Sequence, residues 1–143
     1  MNAAVNAAVG TAADELPEIQ AIVDAEVAEA LAVIAAYAAN SDTTPAGINP
    51  APTVAQYAAA GITDVTAANL TDVNAAVNAA VGSAANETSE VQALVAAEVA
   101  ADAGLAAIAA YASNSDTTPA GTNPKPTVAQ YAAAGITGVN ASN

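Results

Sequence analysis

The sequence predicts an all-α protein of tandem three-helix repeats, long, short and medium, stacked into a rod. Three observations predict it. First, the chain repeats itself: NAAVNAAVG at residues 2–10 returns at 74–82, SDTTPAG at 41–47 returns at 115–121, and PTVAQYAAAGIT at 52–63 returns at 126–137. The offset is about 72 residues early in the unit and about 74 later, a tandem repeat with a small insertion. Second, roughly a third of the residues are alanine, the strongest helix former. Third, the larger apolar residues recur three and four apart, the spacing of one helix face.

The long helix is expected over residues 17–39. Pro17 suits a first turn, where its missing N–H costs nothing. Asp14, Glu15 and Glu18 crowd the end that the helix dipole favours for acids. Ile19, Ile22, Val23, Val27, Leu31, Ile34 and Tyr37 form its apolar face. In the second copy Thr88 is the expected N-cap of a helix over 89–112. Val27 and Leu31 are four apart, whereas Val99 and Leu105 are six apart. Two extra residues rotate a helix face by about 200°. A bend, bulge or change of register is therefore expected near 101–104, where Gly104 sits.

Residues 40–52, NSDTTPAGINPAP, hold three prolines and a glycine and read as a loop. Thr53 is the expected cap of a short helix over 54–60, with Gly61 ending it and Val54, Tyr57 and Ile62 inward. Thr66 is the expected cap of a third helix over 67–81, with Leu70, Val73, Val77 and Val81 inward and Gly82 as its stop. Three helices per repeat make a small bundle.

The expected organisation is residues 1–10 as the C-terminal half of a third helix, 11–82 as the first repeat, and 83–143 as the second, cut within its third helix. Asn143 matches Asn69 and Met1 matches Val73, so the chain reads as a window on a longer array. No basic region and apolar core follow Met1, so no signal peptide is read there. Apolar runs such as 31–39 fall short of a bilayer span.

Composition narrows function. The 143 residues carry a net charge of −13 with one cation, Lys125. Nucleic acid offers such a chain nothing to bind, because neutralising phosphates takes a basic patch. Anionic membranes disfavour it too, and no membrane insertion is expected. Without His or Cys, neither a Ser/His/Asp nor a Cys/His arrangement can be built, so no enzyme is expected and no catalytic residue is named. Glu26 and Glu29 lie three apart and could share a helix face, but the second copy has Glu98 and Ala101 there, which reads as a solvated face. The repeated loops offer one carboxylate each, Asp42 and Asp116. That is poor provision for Ca²⁺, which takes six to eight oxygens. A turn leading into proline accounts for them, and neither metal nor cofactor is expected. Tyr37, Tyr57, Tyr111 and Tyr131 are the only large side chains and are expected to pack inward with the hydroxyl at the rim. Three N-x-S/T sequons begin at Asn69, Asn86 and Asn140.

The run PTVAQYAAAGITDVTAANLTDVNAAVNAAVG, followed by EVQALVAAEVA, resembles the alanine-rich helical repeats of very large secreted bacterial adhesins of the RTX or biofilm-associated type. The resemblance covers essentially the whole chain and is one of phrase and period. It implies an extracellular place on the bacterial cell surface and a role as an extender between anchor and adhesive tip. AGIT before a helix in a three-helix unit is also similar to albumin-binding modules, which are usually richer in lysine. That similarity implies the alternative, a binding module for a host protein or glycan. The expected partners are neighbouring repeats and, through weak head-to-tail contact, other copies of the chain.

Overall fold

The computed structural model describes residues 6–7, 15–39, 49–80, 85–113 and 123–142. The described residues hold no strand and five helices, α1 (Leu16–Ala38), α2 (Val54–Ala59), α3 (Leu70–Ala79), α4 (Thr88–Ala112) and α5 (Val128–Ala133), and Asn6 and Ala7 are helical as well. The all-α class is as the sequence predicts. The Asp42 and Asp116 loops, Val81 and Gly82 lie outside the described residues.

Each helix start follows from its local sequence. Glu15 caps α1: its carbonyl accepts from the N–H groups of Glu18 and Ile19, both at 3.1 Å, and its own N–H donates to Glu18 Oε2 at 3.2 Å. Glu87 repeats this at the head of α4, donating its N–H to Glu90 Oε2 at 3.1 Å. The cap of α4 is therefore Glu87, and Thr88, expected to cap it, is its first residue. The Thr88 hydroxyl instead reaches the carbonyl of Ala60 at 3.4 Å.

The short helices are twins. Thr53 and Gln56 close a capping box on α2, with Thr53 N–H to Gln56 Oε1 at 2.8 Å and Gln56 N–H to Thr53 Oγ1 at 3.3 Å. Thr127 and Gln130 repeat it on α5 at 2.8 and 3.2 Å. Gly61 ends α2 in the left-handed region at φ 77°. Its N–H donates to Ala58 O and that of Ile62 to Tyr57 O, which satisfies two terminal carbonyls. Gly135 and Ile136 do the same for α5.

The third helix differs from expectation at its start. Thr66 and Asn69 exchange bonds as a cap should, at 2.7 Å from Thr66 N–H to Asn69 Oδ1 and 3.4 Å in return. The residues between them form a turn, and α3 begins only at Leu70. Asn69 explains the delay. Its Nδ2 is committed to the Asp64 carbonyl at 2.9 Å, which folds this segment back on itself before the helix can start.

The insertion in the second long helix produces no break. α4 is α-helical throughout, 25 residues against 23 in α1. Of the bend, bulge or change of register expected near 101–104, no bulge interrupts the helix. Gly104 takes the place that Ala30 holds in α1 and lets the backbone of α5 come close: a Cβ built on Gly104 would clash with the Gln130 carbonyl oxygen.

The chain divides into two compact units, Met1–Val95 and Ala96–Asn143. In the first, α1 packs on α2 and α3 around a core of Ala30, Ile34, Ala38, Tyr57, Ala60, Ile62, Val73 and Val77. Ala85, Val91 and Val95 complete that core, although by sequence they belong to the second copy. In the second unit, Asn123 Nδ2 donates to the Ala110 carbonyl at 3.0 Å and secures the segment leading to α5. Asn49 does the same for Ala36 in the first unit at 2.9 Å.

Candidate functional site

Glu26 and Glu29 line one groove with Ala30, Val33, Gln56 and Ala59, between α1 and α2. Glu29 is exposed and Glu26 half-buried. Among the described residues no three His, Cys, Asp or Glu gather to hold a metal ion. Of the sequon asparagines, Asn86 and Asn140 are exposed, whereas Asn69 is buried with both ends of its amide engaged. Attaching a glycan to Asn69 would break the turn that precedes α3.

The four tyrosines separate. Tyr37 packs half-buried against the first core, Tyr111 is exposed, and Tyr131 is half-buried. Tyr57 is wholly inside, its hydroxyl in the core and not at the rim. That position needs a partner, since a buried hydroxyl without one is costly. The partner is Asn74, itself 8% exposed. Tyr57 Oη donates to Asn74 Oδ1 at 2.8 Å, and Asn74 Nδ2 donates to the Pro52 carbonyl at 3.0 Å. Burial pushes the Tyr57 phenol above its ordinary range, and the nearby Tyr37 phenol adds to the shift.

A second polar tie lies beside the first. Gln92 Oε1 accepts from the Thr63 N–H at 2.9 Å, just beyond the buried Ile62. Together with the Thr88–Ala60 bond it fixes the first turns of α4 on the segment that follows α2. This is a packing junction: Tyr57, Ala60, Ile62 and Thr63 on one side, and Val73, Asn74, Val77, Val91, Gln92 and Val95 on the other. Apolar burial drives it, and three side-chain ties set its register.

In the second unit the same receiving side is open. Tyr131, Ala134 and Ile136 correspond to Tyr57, Ala60 and Ile62. Ile136 is 40% exposed where Ile62 is 4% exposed, and Val128 is 42% exposed. Val128 and Tyr131 also line a groove of about 510 Å³ with Lys125, Pro126, Thr127, Val139, Asn140 and Ala141, which Ala134 and Ile136 do not reach.

Neither Asn74 nor Gln92 stands out in the sequence as functional. The available signal was a single polar residue beside apolar ones at helical spacing, and the pairing of a repeated Tyr with a repeated Asn. One helix among the described residues, Thr88–Ala112, is long and apolar enough by length and composition to cross a membrane. The expectation that apolar runs fall short overlooked how far alanine carries hydropathy. Comparison with protein-family models, curated proteins and solved structures finds no match.

Proposed function

We propose that the chain is a non-catalytic extender, a stalk segment of a bacterial cell-surface adhesin that holds an adhesive region away from the cell. The observation that supports this reading is the junction itself. A core whose last residues, Ala85, Val91 and Val95, come from the following copy is what an array needs if each repeat is to brace the next. The charge of −13 suits such a chain, keeping long repetitive molecules soluble and apart. The single cation speaks against nucleic acid as a partner. We read α4 as a packing helix and not a membrane span. Asp102 near its middle would cost about 2.5–3.5 kcal/mol at a bilayer centre, and Val91 and Val95 are already buried in protein.

Small-angle scattering on proteins of two, four and eight copies tests the reading. The maximum dimension should rise linearly with copy number. Compact scaling, with the dimension growing as the cube root of mass, would rule out a stalk.

A further inference from the structure

The two copies of the repeat differ in the residues that open the long helix. The first copy reads DELPEIQ over residues 14–20 and the second NETSEVQ over 86–92. Asn86 stands where the first copy has Asp14, and Thr88 where it has Leu16. Together these two changes complete the sequon Asn86-Glu87-Thr88, of which the first copy has neither half.

The fold of this turn asks for neither residue. Glu87 and Glu90 cap α4 as Glu15 and Glu18 cap α1. Asn86 joins in only through its main chain, its N–H donating to Glu90 Oε2 at 3.2 Å. The residue is exposed, and its carboxamide meets no hydrogen-bond partner among the described residues. An acid at this end of a helix is favoured by the dipole, and asparagine gives that up. Asn86 and Glu87 precede the helix, so their backbone lies outside its hydrogen-bond ladder. The Thr88 hydroxyl is held by the Ala60 carbonyl at 3.4 Å, long for a bond between two oxygens, so its release costs little. Asn69 is the opposite case, buried and bonded at both ends of its amide.

We propose that Asn86 is an acceptor for an N-linked sugar, delivered from a sugar diphosphate by a glycosyltransferase that reads Asn-x-Thr. Asn86 Nδ2 attacks the anomeric carbon of the sugar. The bond from that carbon to the diphosphate oxygen breaks, and the diphosphate leaves with the electron pair. The amide proton passes to a carboxylate of the transferase. The product is a C–N bond between sugar and Asn86, and the glycan stands in water beside a Glu87–Glu90 cap that is left intact. The inference concerns this turn and does not depend on what an array would project.

Transfer to the folded 143-residue chain tests it, in two arms that separate the sources of the sugar. One supplies a soluble N-glycosyltransferase with uridine diphosphate glucose. The other supplies a membrane oligosaccharyltransferase with a polyprenyl diphosphate glycan. Tandem mass spectrometry of proteolytic peptides reads the occupied asparagines. Asn86 should be occupied in at least one arm, while Asn69 stays bare. Thr88→Ala should abolish transfer to Asn86 and Thr88→Ser should retain it, with circular dichroism establishing that both remain helical. The glycosylated chain should melt at the temperature of the bare one. Asn86 left bare in both arms overturns the proposal, as does transfer to Asn86 only after unfolding in urea. So does transfer that Thr88→Ala leaves intact, or a melting temperature that falls once the sugar is attached.

Discussion

The Tyr57 hydroxyl meets Asn74 Oδ1 at 2.8 Å within the core of the first unit, and the other end of the Asn74 amide holds the Pro52 carbonyl. A three-membered polar relay thus joins the loop before α2, α2 itself and α3. In a core built largely of alanine and valine, it is the feature that distinguishes one packing register from another. A slip of α3 by one residue would leave the hydroxyl, the amide and the carbonyl without partners.

Tyr57→Phe should therefore cost more than one hydrogen bond is ordinarily worth. The bond contributes about 0.5–1.5 kcal/mol net, but leaving Asn74 Oδ1 buried and unpaired costs about 1–3 kcal/mol. Urea unfolding of the single variant, of Asn74→Leu and of the double variant would read this directly. The double variant should be less destabilised than the sum of the two, because it leaves neither the Tyr57 hydroxyl nor Asn74 Oδ1 unpaired and orphans only the Pro52 carbonyl.

The same burial makes stability depend on alkaline pH. The folded state keeps the Tyr57 proton above the pH at which the unfolded chain, near pH 10, begins to release it. Above that pH the unfolded state binds fewer protons, so stability falls as pH rises. The contribution is complete below about pH 10 and is lost progressively above it. Absorbance at 295 nm should show the Tyr57 share of the signal appearing only as helicity is lost, and Tyr57→Phe should remove that delayed share.

Gly104→Ala should loosen the second unit. The new Cβ would meet backbone, 2.4 Å from the Gln130 carbonyl oxygen and 3.3 Å from the Ala134 nitrogen, and neither atom can swing aside as a side chain could. Overpacking of this kind costs about 1–3 kcal/mol, against a gain of about 1 kcal/mol from the better helix former. Amide exchange in α5 should accelerate, while exchange at Val73 and Val77 in the first unit should stay as it was.

Asp64 has φ 66°, and its counterpart Gly138 has φ 83°. The two copies thus solve one backbone demand with different residues. Asp64→Gly should change stability by less than about 0.5 kcal/mol, relief of strain offsetting the freer unfolded chain. Asp64→Val, β-branched in a left-handed conformation, should cost about 1–3 kcal/mol by urea unfolding.

Much of the fold was legible because alanine, proline and glycine act locally. Thr53, Gly61 and the proline-rich loop delimit α2 to within a residue of its expected bounds, and α1 follows from Glu15 and Pro17 in the same way. Less legible were the features that depend on tertiary contact. The late start of α3 comes from Asn69 reaching Asp64, and the close approach of α5 to α4 from the bare backbone of Gly104, and local periodicity encodes neither. The site was the least legible part. Asn74 is one of many asparagines in this chain, and only the depth of Tyr57 sets it apart. Had Tyr57 stood at the rim, as its amphipathic side chain suggests, water would have served in place of Asn74.

The core of the first unit closes with Val91 and Val95, so the repeat that folds is out of phase with the repeat that is written. A protease cutting at the written boundary would release a piece missing the end of its own core. Recombination faces no such penalty. Gain or loss of one full period at any phase brings another asparagine to meet the tyrosine and another glutamine to meet the threonine. A change of one full period therefore keeps the same order of tyrosine, threonine, asparagine and glutamine along the chain.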